Sequence, residues 1–397
     1  MIRYEKKRKI TSKERKGNLK TIYLLGFFLA ISTAFYTYTQ SSFIKEAVGL
    51  QWVSFFFIVA MAVTLIAILF FPYLIVKLSN YRLILAILII KFLTLLALIA
   101  TQSPYLIFLL FILLIVSSSL LWINLDVFLE GFSLNETTGK TRGRYFTFLN
   151  IGWLVSPIMI GYLVGDNNYY LAFLVSALVL LPILIVLLIK RKKLSGRYEF
   201  KNHRMIKTIK HVFKNKNFRG IFTAAFLLRL FFTATTIYMP IYLNSYLGFS
   251  WPTIGIMFSF MLLPFVVLEI PAGIIADKYL GEKEILTAGF LILIASLFLF
   301  TFLKSTNVIV WALVLFLSRC GASLIEVMRE SYFFKIVDVE NIDFINLLRA
   351  SRPSAYILGA LLGMIIMAFY PINYVFLILG IILIPSFYFI LGLKDTK

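Results

Sequence analysis

The chain is 397 residues long, 61% hydrophobic and 14% charged, with a mean hydropathy of +0.92. Soluble domains run near half apolar and a quarter charged, so this composition excludes an ordinary soluble fold. Forty Phe against 21 Gly and 11 Pro exclude a disordered or fibrous chain, and the formal charge of +21 sits between long apolar runs, as in polytopic membrane proteins.

A hydrocarbon core about 30 Å thick takes about 20 apolar residues per helix. The basic start (Arg3, Lys6, Lys7, Arg8, Lys9) leads into an apolar run without a small-x-small cleavage site, which predicts a retained first span over 20–41. That span carries Ser32, Thr33, Tyr36, Thr37 and Gln40. Spans 2 and 3 are predicted over 51–72 and 83–101, joined by a link holding Lys77 and Arg82. Lys91, midway along span 3, reads as snorkelling or locally paired. Span 4, over 104–126, brings Ser117, Ser118, Ser119, Trp122 and Asn124, and its inner end holds Asp126 and Glu130. Arg142 and Arg144 precede span 5 (145–164), and span 6 follows over 170–190.

The stretch 191–219 is the long polar link, dividing an N-terminal half (1–190) from a C-terminal half (220–397). Within it Met205, Ile206, Ile209, Val212 and Phe213 recur at helical spacing, with Arg204, Lys207, Lys210 and Lys214 between them. This predicts a basic amphipathic helix lying on the anionic lipids of the inner leaflet. Nucleic-acid binding would need these basic residues away from the membrane, so no nucleic-acid partner is expected.

Spans 7 to 12 are predicted over 220–243, 252–275, 285–303, 308–328, 350–370 and 373–393. Span 7 carries Arg229, Thr233, Thr235, Thr236 and Tyr238, and span 8 carries Glu269. Span 10 carries Ser318, Arg319 and Ser323 and ends at Glu326 and Glu330, while Arg349 and Arg352 open span 11. With the N-terminus cytoplasmic, inner segments hold 34 Lys and Arg against two, Lys45 and Lys304, outside. The positive-inside rule therefore predicts both termini in the cytoplasm and a location in the cell's inner (plasma) membrane.

The halves align at an offset of 200 residues. Asp126-Val127-Phe128-Leu129-Glu130 lies opposite Glu326-Val327-Met328-Arg329-Glu330, and six spans per half make the repeat parallel. The sole cysteine, Cys320, permits no intrachain disulfide, and His203 and His211 stand in a basic link with no carboxylate beside them. No GxxxxGK[ST] occurs. Neither enzyme chemistry nor a metal or other cofactor is expected.

After span 8, Gly273-Ile274-Ile275-Ala276-Asp277-Lys278-Tyr279-Leu280-Gly281-Glu282-Lys283 looks like the G-x-x-x-D-[RK]-x-G-x-[RK] loop motif of the major facilitator superfamily. Gly152-Trp153-Leu154-Val155-Ser156-Pro157 with Gly161 is similar to the family's antiporter pattern, with Ser156 and Ile160 replacing two glycines. Arg319-Cys320-Gly321 resembles its R-x-x-G helix motif. The first-half loop, Tyr73 to Arg82, lacks both glycines and has Lys77 where the aspartate would stand.

This resemblance covers essentially the whole chain. It implies an all-α protein of twelve transmembrane helices in two pseudo-symmetric six-helix bundles, working as a monomeric secondary transporter of a small-molecule substrate by alternating access. It places spans 1, 4, 7 and 10 around the central site.

Intramembrane charges are costly and therefore functional candidates. Arg229 and Arg319, near the midplane, read either as substrate or coupling groups or as buried partners of a carboxylate such as Glu269. Tyr36, Gln40, Trp122, Asn124 and Tyr238 add polar groups on the same four spans. Glu269, a carboxyl among apolar residues, is the candidate for loading and releasing a proton. An inner gate is expected from Asp126, Glu130, Glu326 and Glu330 against Arg142, Arg144, Arg349 and Arg352. Lys77, Gly273, Asp277, Lys278 and Gly281 are its loop members. The motif glycines, Gly273 and Gly281, are expected to permit tight helix contact and a turn with positive φ. Efflux is suggested by the span 5 pattern and an anionic substrate by the two arginines. The rival reading is a non-transporting membrane protein, a lipid scramblase or a sensor.

Overall fold

The computed structural model describes residues 2–5, 12–132, 138–165, 168–191, 197–200, 205–336 and 342–394. Among them twelve helical segments are long and apolar enough to cross a membrane. Spans 1 to 6 are Glu14–Val48, Leu50–Phe71, Asn80–Ala100, Pro104–Leu129, Arg144–Val164 and Tyr169–Ile189. Spans 7 to 12 are Lys216–Tyr246, Trp251–Leu280, Glu282–Phe302, Val308–Phe333, Ala350–Phe369 and Tyr374–Leu391. The sequence-derived spans overlap all twelve; observed spans 11 and 12 are slightly shorter, while most of the others run longer at the polar ends. There, side chains supply the caps that hydropathy does not register. Asn215 Oδ1 accepts from the Asn217 and Phe218 amides and starts span 7. Asn307 Oδ1 does the same for Ile309 and Val310 at the start of span 10.

The chain divides into two compact units: Met1–Leu50 with Val59–Asn202, and Gln51–Ile58 with His203–Lys397. In the first, Ile2–Glu5 pairs antiparallel with Arg197–Phe200, with Ile2 opposite Phe200. Nothing in the apolar periodicity signals this short ribbon. The basic amphipathic helix forms over Met205–Lys214 in the second unit, with Val212 buried and Phe213 exposed.

Three of the single-residue links between successive helices have positive φ. Gly49 (φ 91°, ψ 155°) joins spans 1 and 2, and Gly281 (φ 95°, ψ 166°) joins spans 8 and 9. Ser79 (φ 68°, ψ 153°) joins the helix Leu50–Leu78 to span 3, so the loop expected over 73–82 shrinks to one residue. These dihedrals lie close to a region populated essentially by glycine alone, where a side chain costs about 1–3 kcal/mol. Gly281 meets its expected positive φ without that strain. Ser79→Gly is therefore expected to raise stability by about 1 kcal/mol, read as a higher thermal midpoint of the purified protein.

The span 8 motif leaves one residue between its basic position and its second glycine, whereas this chain has two, Tyr279 and Leu280. The end of span 8 is a π-helix, Ala276–Leu280, and a π-turn is the helical device that absorbs one extra residue.

Both cores are rich in aromatic side chains. In the first unit Phe43 meets Phe111, Tyr169 and Phe173 at ring centroid distances of 5.5, 5.7 and 5.0 Å. In the second, Trp311 lies between Tyr242 and Phe300 at 5.7 and 6.1 Å. The closest backbone approach there joins spans 9 and 10, where a Cβ on Gly321 would stand 2.7 Å from the Gly289 carbonyl oxygen. Large apolar side chains such as Leu69, Phe70, Ile189, Ile309 and Phe369 remain exposed on the outside. No soluble monomer leaves this much apolar surface bare; it is lipid-facing.

Candidate functional site

In the first unit, span 1 aims its polar stripe inward. The Tyr36 hydroxyl lies 2.6 Å from Ser118 Oγ of span 4, and Ser32 Oγ lies 2.9 Å from Ser176 Oγ of span 6. Gln40 is buried beyond the turn that separates the two helices of span 1. Asn124 is fully buried, and among the described residues neither its Oδ1 nor its Nδ2 has a hydrogen-bond partner. Trp122 is half-buried. Lys91 does not snorkel. It is wholly buried, its Nζ donating to Thr33 Oγ1 at 3.1 Å and lying 5.3 Å from the centre of the Tyr36 ring. Span 3 is straight and continuous at this point, so the amine meets span 1 rather than a membrane surface.

The second unit treats its two midplane arginines differently. Arg229 Nη1 donates to the Leu348 carbonyl oxygen and to Ser351 Oγ, on the helix that becomes span 11. Its guanidinium thus clamps spans 7 and 11 through a backbone carbonyl just before Pro353. Arg319 is 5% exposed; its Nη2 donates to Thr235 Oγ1 at 3.1 Å. The same guanidinium carbon stands 4.9 Å and 5.5 Å from the ring centres of Phe231 and Phe232. Tyr238 is fully buried, with its hydroxyl donating to the Ala360 carbonyl oxygen and lying 2.9 Å from Ser54 Oγ. Glu269 is half-buried after a break in span 8 at Leu268, and among the described residues it pairs with neither arginine.

The expected gate residues divide. Glu326 and Glu330 engage an arginine of their own helix, Arg329, whose Nη2 lies 3.9 Å and 3.1 Å from their carboxylate oxygens. Arg352, expected to pair with these acids, is exposed and has its guanidinium 6.0 Å from the Tyr356 ring centre. Arg329 is buried, at i+3 from Glu326 and i−1 from Glu330. Lys77 is exposed beside Tyr73, 5.8 Å from its ring centre. Lys278 and Arg144 are exposed and Asp126 is half-buried. A Cβ at Gly273 would meet no described atom within 4 Å, so the tight contact expected there is absent among the described residues. The side chains of Glu130, Arg142, Asp277 and Arg349 lie outside the described residues.

A further carboxylate, Glu282, is buried at the start of span 9 and is not among the residues expected from charge depth or motif. It accepts from Ser331 Oγ at 2.8 Å and lies 2.5 Å from Lys335 Nζ. Its signal was an acid following a glycine turn, placed opposite the basic end of span 10.

The profile of the Major Facilitator Superfamily matches residues 22–344 and 252–397. The chain belongs to the major facilitator superfamily. Solved structures of the same fold include a mutant of the nucleoside transporter NupG, 15% identical, with a TM-score of 0.74 over 95% of this chain and 100% of that one. The peptide transporter POT in complex with sulfate is 14% identical, with a TM-score of 0.71 over 94% and 93% of the two chains. A bacterial homologue of the human lysosomal transporter Spinster, inward-facing and unoccupied, is 12% identical, with a TM-score of 0.64 over 91% and 84%. A search of curated proteins gave no match. The twelve spans, the family match and these neighbours make this superfamily member a multi-pass, non-enzymatic secondary transporter of a small-molecule substrate.

Proposed function

We propose that this transporter moves a small organic anion by proton-coupled alternating access, with Arg319 as the anion-recognising group. The observation that carries this reading is the setting of Arg319. A guanidinium stays charged when buried, and this one is 5% exposed among two phenyl rings and a threonine, on one of the spans that the family places at the central site. A carboxylate or phosphate would be held by its planar fork of donors, a geometry an ammonium cannot reproduce. Arg229 is better accounted for as the clamp of span 7 onto span 11. Within the first unit, Asn124 of span 4 has both ends of its amide unmatched among the described residues. Efflux rests only on the span 5 pattern, and Ser156 there bonds the Gly152 carbonyl oxygen at 2.6 Å.

Thermal-shift screening of the purified chain against carboxylates and phosphates, beside matched neutral and cationic compounds, tests the anion reading. At least one anion should raise the unfolding midpoint of the wild type and fail to do so in Arg319→Lys. Stabilisation by lipophilic cations alone, or a response unchanged in Arg319→Lys, would sink it.

The orientation, with termini in the cytoplasm and the protein in the plasma membrane, is supported by the 34-to-2 split of basic residues. Cysteines placed at residues 168 and 306 should react with an impermeant maleimide from outside the cell, and one at residue 200 only after permeabilisation. Reaction of residue 200 in intact cells would reverse the assignment.

A further inference from the structure

We propose that Lys91 is a proton-carrying site in the first unit, an amine that is loaded and unloaded during the transport cycle. This rests on the proton-coupled reading above and assigns a site to it. Lys91 stands about 16 Å along span 3 from its start, at about 1.5 Å per residue, and is 0% exposed. An ammonium has three N–H donors. Here the contacts are the Thr33 hydroxyl at 3.1 Å and the face of the Tyr36 ring.

The carboxylates on the elements around it stand towards the ends of those helices. Span 3 packs against spans 1, 4 and 6. Span 6, Tyr169–Ile189, contains no Asp, Glu, Lys, Arg or His, and its titratable groups are Tyr169 and Tyr170 at the start. Span 4 has Tyr105 at one end and Asp126 and Glu130 at the other, with Ser117 and Ser118 between. Span 1 has Glu14, Arg15, Lys16, Lys20 and Tyr23 towards its start and Tyr38, Lys45 and Glu46 towards its end, leaving Tyr36 beside the amine. Span 3 itself adds Tyr81 and Arg82 at its start. No carboxylate forms an ion pair with Lys91 among the described residues. A buried charge with so few partners is costly, and an amine, unlike a guanidinium, can relieve that cost by losing a proton.

The space around the amine selects the ligand. A small cavity in the same unit, one helical turn away at Leu88, is walled by leucine and isoleucine side chains such as Leu29 and Leu121, with no polar wall. A proton needs no cavity. In the step proposed, one N–H bond of the ammonium breaks, the electron pair stays on Nζ, and the proton passes to water; loading is the reverse. The half-exposed Thr37, one helical turn from Thr33, is the polar side chain through which the proposal routes that water.

The internal repeat sharpens the assignment. Thr33 and Tyr36 recur 202 residues later as Thr235 and Tyr238, and Thr235 also holds a buried cation. In the second unit that cation is Arg319, permanently charged; in the first it is an amine. The chain thus pairs one fixed charge with one that can switch, and two protonation states favouring different conformers is what coupling requires.

The native single cysteine, half-buried Cys320, supplies the readout. Its maleimide reaction rate in the full chain in phosphatidylglycerol-containing nanodiscs is compared between wild type, Lys91→Arg, Lys91→Met, Lys91→Gln and Glu269→Gln, from about pH 6 to about pH 8.5. Ratios taken at each pH cancel the titration of the thiol. At the acid end Lys91→Arg should match the wild type and the two neutral variants should differ by about threefold or more. At the alkaline end the neutral variants should match and Lys91→Arg should differ. If Lys91→Arg fails to fold, loss of the wild-type pH response in both neutral variants carries the test. Constant ratios for every Lys91 variant, with the pH response abolished in Glu269→Gln, would overturn the assignment while leaving proton coupling intact. A wild-type rate that follows only the pH dependence of a free thiol would overturn both.

Discussion

Gly321→Ala is expected to destabilise the second unit by about 2–3 kcal/mol, and Gly321→Leu to prevent its assembly. A Cβ at this position would stand 2.7 Å from the Gly289 carbonyl oxygen and 2.9 Å from the Leu293 amide nitrogen. Both obstacles are backbone atoms of span 9, so no rotamer change relieves them and the two helices must separate. The reciprocal glycine leaves no slack, because a Cβ at Gly289 would meet Ile325 Cγ1 at 2.8 Å. Lipid offers no hydrophobic drive for helices to associate, which leaves close packing of small residues as the main attraction. Thermal unfolding of purified variants should show the largest loss at Gly321. A similar midpoint for Gly321→Ala and wild type would mean that spans 9 and 10 are not held together here.

Lys335→Met is expected to cost about 2 kcal/mol, and Glu282→Gln distinctly less, although the two remove partners of one ion pair. The asymmetry follows from exposure. Glu282 is 1% exposed and Lys335 is 42% exposed. Taking away the ammonium leaves a carboxylate buried with Ser331 Oγ and the start of the span 9 helix as its remaining support. Neutralising the carboxylate leaves an ammonium that water can solvate. The double variant Glu282→Gln with Lys335→Met should recover most of the loss, as a thermal-midpoint cycle will show. Equal costs for the two single variants would mean that the pair contributes only a solvated surface attraction.

The architecture was legible because it depends on long averages. Twenty apolar residues in a row and a 34-to-2 charge split survive any error of one or two positions. The site depended on individual residues and fared less evenly. Arg319 was found at a plausible depth, but Arg229, equally deep by count, is spent on the Leu348 carbonyl near Pro353, a contact no spacing rule announces. Spacing pairs Glu326 and Glu330 with arginines of the following helix, while Arg329, between them on the same helix, is the partner the structure shows. An offset of 200 aligned the acids and set Tyr36 against Thr236, which hid the equivalence of Tyr36 with Tyr238 that an offset of 202 shows.

Tyr238 and Gly363 occupy one volume. A Cβ at Gly363 would fall 2.0 Å from the Tyr238 hydroxyl oxygen and 2.2 Å from its ring carbon Cζ, so even phenylalanine at 238 would not make room for alanine at 363. Ser54 Oγ and the Ala360 carbonyl both bond the Tyr238 hydroxyl, so swinging the ring away would break both contacts. Neither position can drift alone. Among descendants of this chain, any change at 363 should be found together with a small side chain at 238 and a freed position 54, so that three distant stretches of sequence are inherited as one character.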